Sequence, residues 1–234
     1  MIFGFIDFEA TGVDPKTAHI IEWALVRYCS EQKQVLTMHT NLVALPAGET
    51  LSEEITELTG ITPKMLETEA FPFVQMGQRL TLMADHCDYL VAHNGLSYDR
   101  LLFTFNAKRW GTHDLSKPWI DTMTDIPYPT RIKSRNLVTL CAEHGFLNPL
   151  AHRAMSDCIS LWKLFTQYDP VQIVEIASTP MLTVRADVPF QKKDLAKKAG
   201  YGWDAERKIW IKPLREYYLK QEKASVPFPV LILS

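Results

Sequence analysis

The feature that most constrains the fold is a hydrophobic run near the N-terminus that carries two carboxylates. In the stretch FIDFEATG, residues 5–12, Asp7 and Glu9 interrupt an otherwise apolar sequence. Residues two apart in a β-strand point to the same face of the sheet, so both carboxylates would share one side. We expect Phe5 and Phe8 to anchor the strand in the core on one face, while the carboxylates, on the opposite alternation, face a pocket. Buried charges are costly unless they are paired or bound to cations, which predicts a polar site at this strand.

The composition is that of an ordinary globular protein. The chain has 234 residues, of which 47% are hydrophobic and 22% charged, enough for one large domain with or without a small appendage. It contains no apolar run long enough to predict a membrane helix. The N-terminal residues lack the basic and small-residue segments of a signal peptide, so we expect a cytoplasmic protein. The four cysteines show no C-x-x-C spacing, which favours reduced thiols.

Charge is distributed unevenly along the chain. Residues 181–234 hold 11 basic and 6 acidic residues, a net charge of +5, whereas residues 1–180 hold 14 basic and 21 acidic residues, a net charge of −7. An acidic body followed by a basic tail indicates that the tail binds a polyanion.

Hydrophobic periodicity predicts an α/β fold followed by a smaller module. Three strands open the chain, and helices then alternate with short buried strands, which indicates a mixed central sheet flanked by helices over residues 1–170. Pro170 and Pro180 bracket a predicted linker, residues 171–180. Residues 181–234 predict a small α+β module that contains a helix in QKKDLAKKAG. The terminal PFPVLILS fits either an added strand or a partner-binding peptide.

Two further segments place polar groups where local structure does not require them. In HNGLSYDR, Asn94 follows a buried strand and Asp99 lies in the first turn of the next helix. In HRAMSD, His152 and Asp157 are five residues apart at the start of the last long helix of this region. Five residues leave two side chains about 140° apart on an ideal helix. The two groups therefore converge only if His152 lies at the frayed N-terminus of that helix.

Each of these groups also has a purely structural interpretation. Asp7 could begin an Asx-turn, Asp99 could complement a helix dipole, and His152 could be a hydrogen-bonded core histidine. Together, however, they favour a metal-dependent site, because four carboxylates in one pocket cannot all ionise without cations. Oxygen ligands favour two Mg²⁺ or Mn²⁺ ions over zinc. Two such ions suit the hydrolysis of a phosphodiester, with the histidine as general base.

The three segments resemble the exonuclease motifs of the DEDD superfamily. These motifs are D-x-E-x-T-G at 7–12, H-N-x-x-x-Y-D at 93–99 and H-R-A-x-x-D at 152–157. The histidine five residues before the last aspartate is similar to the DEDDh branch. LTGITPKML, the IDTM strand and LVTLCAEHGF resemble the connecting segments, so the similarity covers residues 1–168.

This resemblance implies an RNase H-like fold and metal-dependent 3′→5′ exonuclease activity that releases nucleoside 5′-monophosphates. It implies that Asp7, Glu9 and Asp157 bind the metal that activates water. It further implies that Asp7 bridges to a second metal, that Asp99 holds that metal partly through water, and that His152 is the general base.

The resemblance also implies substrate contacts. The backbone at Thr11 and Gly12 would meet the 3′-terminal nucleotide, Asn94 would orient the site, and Leu58 would wedge against the terminal base. Tyr98 departs from the family pattern, in which phenylalanine is commoner. We expect an exodeoxyribonuclease that prefers single-stranded 3′ ends. The alternatives are an exoribonuclease, an enzyme that trims RNA–DNA hybrids, and a catalytically silent nucleic-acid-binding protein.

The basic tail has a residue pattern that differs from that of the preceding domain. Residues 187–213 resemble a short module of unassigned function that is attached to DNA-processing proteins of mobile elements. Its tryptophans, Trp203 and Trp210, are expected to fill the core of so small a domain. Its paired lysines are expected to bind the backbone of single-stranded nucleic acid. These lysines are Lys192, Lys193, Lys197 and Lys198.

Overall fold

The structure, a computed structural model, describes residues 1–233 and contains two compact units, Met1–Pro170 and Val171–Ser234. Ser234, the last residue of the predicted basic module, lies outside the described residues. Each unit has its own sheet and its own hydrophobic core.

The first unit is built on a five-stranded mixed sheet. Its strands are β1 (Ile2–Ala10), β2 (Ile20–Cys29), β3 (Gln34–Leu42), β4 (Tyr89–Ala92) and β5 (Trp119–Asp121). The spatial order is β3-β2-β1-β4-β5, with β1, β2 and β3 antiparallel and with β4 and β5 parallel to β1. Burial is almost continuous along β1 and β2 but alternates along β3, as expected for central strands and an edge strand. The predicted α/β architecture is confirmed.

Both faces of β1 are packed, which corrects one expectation. Phe8 faces the larger core and stacks on Phe103 with ring centroids 5.8 Å apart. Phe5 lies on the opposite face, the face of Asp7 and Glu9, and its ring centroid is 5.3 Å from that of Phe165. The two phenylalanines cannot share a face because they are three positions apart in a strand of period two. The carboxylates therefore lie at the end of an aromatic layer.

Six helices flank this sheet. They are α1 (Glu53–Thr59), α2 (Pro63–Glu69), α3 (Phe73–Asp85), α4 (Asp99–Trp110), α5 (Leu137–Glu143) and α6 (Ala154–Phe165). The Ser52 side chain accepts from the Ile55 N–H at the start of α1, and Thr62 caps α2 with Pro63 as its first residue. Serine and threonine are favoured N-cap residues, and proline is favoured at the first position of a helix, so the sequence explains where both helices begin. Helix α6 packs across β1 and β2, which places its N-terminus beside the carboxylates of β1.

The segment predicted to be a linker, residues 171–180, is largely helical. Helix α7 spans Pro170–Ser178 and buries Ile173 and Ile176 completely. Proline is well tolerated at the first position of a helix and common just beyond its end, so the two prolines bound a helix and do not interrupt one. The spacing of the isoleucines, three residues apart, gives this short helix a buried face.

The second unit contains a four-stranded antiparallel sheet. Its remaining elements are β6 (Met181–Ala186), α8 (Lys193–Lys198), β7 (Gly202–Asp204), β8 (Ile209–Arg215), α9 (Leu219–Ser225) and β9 (Val230–Ile232). The order is β7-β8-β6-β9, so the apolar C-terminal segment is an added strand paired with β6. Trp210 is buried in the core as expected, whereas 46% of Trp203 is exposed.

Within residues 1–233, all four cysteines are buried and none forms a disulfide. No helix in this part of the chain is both long and apolar enough to cross a membrane.

Candidate active site

Three predicted carboxylates form a compact cluster. Asp7 and Glu9 project from β1, and Asp157 lies in the first turn of α6. One carboxylate oxygen from each residue lies within 4.8 Å of the others. Asp99, the first residue of α4, is buried and close enough to raise the pKa of Asp7 by charge repulsion. The fold thus brings together four carboxylates from three elements.

The cluster carries more negative charge than its surroundings can stabilise. Burial, followed by repulsion from Asp157 and Glu22, raises the pKa of Glu9 to about 8. Burial also raises the pKa of Asp99 to about 7 and that of Asp7 well above its usual range. Divalent cations are the natural counter-charge for such a set, and carboxylate oxygens are the ligands that Mg²⁺ and Mn²⁺ prefer. The residues therefore fit a divalent metal site.

His152 lies two residues before the first residue of α6 and not within the helix. Its side chain is exposed, and its backbone has φ of 65°, in the left-handed region. Its backbone N–H donates to Asp157 Oδ2 at 3.0 Å. This turn removes the angular separation that a continuous helix would impose, so the imidazole can reach the site. Because its side chain is exposed, His152 is not a hydrogen-bonded core histidine.

Asp157 is held from its other side by a residue that the sequence analysis missed. The Asn148 side-chain amide donates to Asp157 Oδ1, and Ser156 Oγ donates to Asn148 Oδ1 at 2.7 Å. Together with the His152 N–H, these bonds fix both oxygens of the carboxylate. Asn148 lies in the loop between α5 and α6, and nothing in its sequence context indicates this role.

A buried ion pair fixes the start of α6. Glu22 on β2 lies directly opposite Glu9 on β1 and is only 3% exposed. Arg153 Nη2 donates to Glu22 Oε1 at 2.7 Å and Arg153 Nε donates to Glu22 Oε2 at 3.1 Å. The Ala154 N–H donates to the same Oε2 at 2.9 Å. Glu22 was also missed, although a carboxylate in the apolar run HIIEWALV is the same anomaly that identified Asp7 and Glu9.

The loop between β4 and α4 is organised by Asp121 of β5. Its carboxylate accepts from the backbone N–H groups of Asn94 at 3.0 Å, Leu96 at 3.2 Å and Met123 at 2.9 Å. Asn94 itself has φ of 61° and an exposed side chain. Asn94 is therefore an accessible amide on a loop whose backbone is fixed by Asp121.

The loop after β1 is tied to the start of α4 through Tyr98, the residue that precedes this helix. The Tyr98 hydroxyl donates to the Gly12 carbonyl at 2.5 Å, a bond that phenylalanine could not make. Thr11 Oγ1 accepts from the His19 N–H at 2.9 Å, which orders the same loop. Leu58, the predicted wedge, is 48% exposed on α1.

The four lysines predicted to bind substrate belong to the second unit. Lys193, Lys197 and Lys198 lie in α8, and Lys192 precedes it. Three are exposed and Lys193 is half-buried.

Family profiles match two parts of the chain. The profile of the Exonuclease family (RNase_T) matches residues 5–165, and the profile of a domain of unknown function (DUF8626) matches residues 182–233. The chain is 30% identical over 167 residues to the PolC-type DNA polymerase III of Thermotoga maritima, covering 71% of this chain and 12% of the polymerase. It is 27% identical over 161 residues to the corresponding polymerase of Ureaplasma parvum, covering 68% of this chain and 11% of that one. The chain therefore spans only a small part of these relatives.

Solved structures share the fold. E. coli exonuclease I in complex with a dA16 oligonucleotide superposes with a TM-score of 0.64 at 16% identity, covering 80% of this chain and 48% of that one. The nuclease domain of 3′hExo, a DEDDh family member bound to rAMP, gives a TM-score of 0.61 at 17% identity, covering 71% of this chain and 90% of that one. The expected RNase H-like mixed sheet flanked by helices is confirmed. Because the family profile matches more than half of the chain, this protein belongs to the Exonuclease family (RNase_T).

Proposed function

We propose that the protein is a metal-dependent 3′→5′ exodeoxyribonuclease that prefers single-stranded 3′ ends and releases nucleoside 5′-monophosphates. The observation that carries this proposal is the convergence of Asp7, Glu9 and Asp157 within 4.8 Å, with Asp99 beside them. The similarity to an exonuclease I that binds a DNA oligonucleotide supports the choice of substrate.

In this proposal Asp7, Glu9 and Asp157 hold one Mg²⁺ or Mn²⁺ ion, and Asp7 with Asp99 holds a second. When bound, the ions polarise the scissile phosphate and stabilise the charge that develops on it. The raised pKa values of Glu9 and Asp99 are consistent with this role, because bound cations would favour the ionised carboxylates that burial disfavours.

His152 accepts the proton of the attacking water in this scheme. Its exposed imidazole is open to solvent and substrate, and its backbone is anchored to Asp157. The base therefore keeps its place relative to a metal-binding carboxylate, as general-base catalysis requires. The loop at Thr11 and Gly12, the Asn94 amide and the exposed Leu58 side chain would hold the 3′-terminal nucleotide.

A second candidate is a 3′→5′ exoribonuclease or an enzyme that trims RNA–DNA hybrids. The similarity to the nuclease domain of 3′hExo, which binds rAMP, favours this alternative. A catalytically silent binding protein is disfavoured because all four carboxylates and His152 are present.

The test is digestion of 5′-labelled DNA and RNA strands of matched sequence, each single-stranded and duplex, with Mg²⁺, Mn²⁺ or chelator. We expect laddered shortening from the 3′ end, fastest for single-stranded DNA, and none in chelator. Asp7→Asn and Asp157→Asn should abolish shortening, while Asp85→Asn, which changes an exposed carboxylate at the end of α3, should not. Faster RNA degradation would select the alternative, and shortening that survives both active-site variants would contradict the site.

We also propose that the second unit binds the single-stranded substrate through its basic surface. The excess of basic residues in residues 181–234 and the exposure of Lys192, Lys197 and Lys198 support this assignment.

A further inference from the structure

Five side chains of the second unit form one row in which two lysines lie between aromatic rings. In order along the row they are Phe190, Lys193, Lys197, Trp210 and Trp203. Lys193 Nζ lies 4.4 Å from the ring centroid of Phe190, and Lys197 Nζ lies 5.8 Å from that of Trp210. The centroids of Trp210 and Trp203 are 5.2 Å apart. Lys193 and Lys197 join the two halves because residues four apart on a helix share a face.

The two ends of this row are exposed although the unit is small. Phe190 is 68% exposed and Trp203 is 46% exposed, whereas Trp210 is buried in the core. A unit of this size needs its large apolar groups inside, so two exposed aromatic rings on one row leave stabilising apolar area unused. Trp203 lies on β7 directly opposite Trp210 on β8, which holds its ring at the edge of the sheet.

We propose that this row, the stacking strip, is a binding surface for single-stranded DNA, in which bases stack on Phe190 and Trp203 while Lys193 and Lys197 contact phosphates. Aromatic rings accept any base because every base has a π-face, and lysines along the same track neutralise the backbone. The net charge of +5 over residues 181–234 complements a polyanion. The inference rests on the proposed function for the identity of the partner.

The stacking strip differs from a purely basic surface in its dependence on the bases of the strand. A purely electrostatic surface would bind a phosphate backbone equally well with or without bases. Stacking predicts a preference for a strand with bases over an abasic strand of the same length and charge. The structure also offers matched controls outside the strip. Tyr217 is an aromatic residue of the same unit that is 39% exposed, and Lys220 and Lys223 are exposed lysines of α9.

The experiment measures fluorescence anisotropy of labelled oligo(dT), and of an abasic strand of equal length, with the full chain in chelator so that no strand is cut. We expect Trp203→Ala and Phe190→Ala each to weaken oligo(dT) binding about ten-fold and to leave binding of the abasic strand unchanged. Lys193→Gln with Lys197→Gln should reduce the slope of log Kd against log salt concentration by about 1.4, the loss of two phosphate contacts on a single strand. Tyr217→Ala and the Lys220→Gln, Lys223→Gln pair should bind as the unchanged protein does.

Three results would overturn the strip. They are equal affinity for oligo(dT) and the abasic strand, unchanged oligo(dT) binding by both aromatic variants, and tighter binding of oligo(rU) than of oligo(dT). If Trp203→Ala lowers the melting temperature, Phe190→Ala decides, because so exposed a ring can be removed without loss of core. Binding in chelator is independent of catalysis. If the strip variants bind oligo(dT) more weakly but the protein never shortens DNA, the proposed function alone is contradicted. If the protein shortens DNA but the strip variants bind oligo(dT) as tightly as the unchanged protein, this inference alone is contradicted.

Discussion

At the scale of single residues, the acidic cluster opposes folding unless a cation is present. Burial and mutual repulsion favour the protonated forms of Glu9 and Asp99, whose pKa values rise to about 8 and about 7. In an unfolded chain both groups titrate near 4. The folded protein without metal therefore binds more protons than the unfolded chain between these limits, and its stability falls as pH rises.

This gives a first prediction, on pH and metal. In chelator, the melting temperature should fall as pH rises from about 5 to about 8, because the raised pKa values of Glu9 and Asp99 make ionisation costly in the folded state. Saturating Mn²⁺ should raise the melting temperature most at the upper end of this range. Thermal unfolding followed by circular dichroism measures both effects. A melting temperature that is constant or rises over this range in chelator would contradict the electrostatics of the cluster.

A second prediction concerns the base. His152→Ala should lower kcat by about 10²–10⁴-fold with little change in KM, because the lost interaction belongs to the transition state. His86→Ala, which removes an exposed histidine at the end of α3, serves as the control. Steady-state digestion of a short single strand in Mn²⁺ separates the two constants. A change in KM alone would show that His152 binds substrate and does not accept the proton of the attacking water.

At the scale of elements, the start of α6 depends on the pairing of Arg153 with Glu22. Glu22 accepts from both the guanidinium and the Ala154 N–H, so the helix is docked on β2 at the turn that carries His152 and Asp157. Arg153 is partly exposed, while Glu22 is almost completely buried. Removing the arginine would leave a buried carboxylate beside an already acidic site.

A third prediction follows for this element. Arg153→Ala should destabilise the fold by about 2–3 kcal/mol, less than for a fully buried pair, and should lower kcat by displacing the turn. Arg131→Ala is the matched control, because its ion pair with Glu143 is exposed and is worth about 0–1 kcal/mol. Chemical denaturation and digestion kinetics on the same samples measure the two effects. Adding Glu22→Gln to Arg153→Ala should recover stability, and no recovery would show that the buried charge is not the cause.

The same element shows how far sequence reasoning extends. The sequence predicts Asp7, Glu9 and Asp99 as site residues from local patterns alone. Asp7 and Glu9 interrupt an apolar strand, and Asp99 lies in the first turn of a helix. Arg153 and Glu22 are 131 residues apart in the chain, and only the fold brings them together. Helix α7 was missed for a local reason: its flanking prolines are typical of linkers as well as of helix ends. The exposure of Trp203 could not be predicted from the sequence, because it depends on the order of the strands, which places β7 at the edge of the sheet.

At the scale of the whole molecule, the chain joins an acidic unit that holds the candidate site to a basic unit that carries the stacking strip. Residues 1–170 hold 14 basic and 20 acidic residues, a net charge of −6 that repels nucleic acid. Residues 171–234 hold 11 basic and 7 acidic residues, a net charge of +4 that attracts it. In the proposed function, a basic unit in the same chain would help an exonuclease with so acidic a first unit to retain its polyanionic substrate, because a second attachment is intramolecular.

This division gives a fourth prediction. A fragment of residues 1–170 should hydrolyse a short single-stranded oligonucleotide at a rate close to that of the full chain but should release a long strand after fewer cleavages. The cut falls at Pro170 because Ile173 and Ile176 of α7 are buried, and a cut at 180 would leave that helix without its unit. Digestion of a long 3′ single strand with excess unlabelled competitor, at increasing salt, measures the run length. The advantage of the full chain should shrink as salt weakens its phosphate contacts. Cooperative unfolding would show that the fragment is folded. If a folded fragment makes as many cleavages per binding event as the full chain at low salt, the second unit does not retain the substrate.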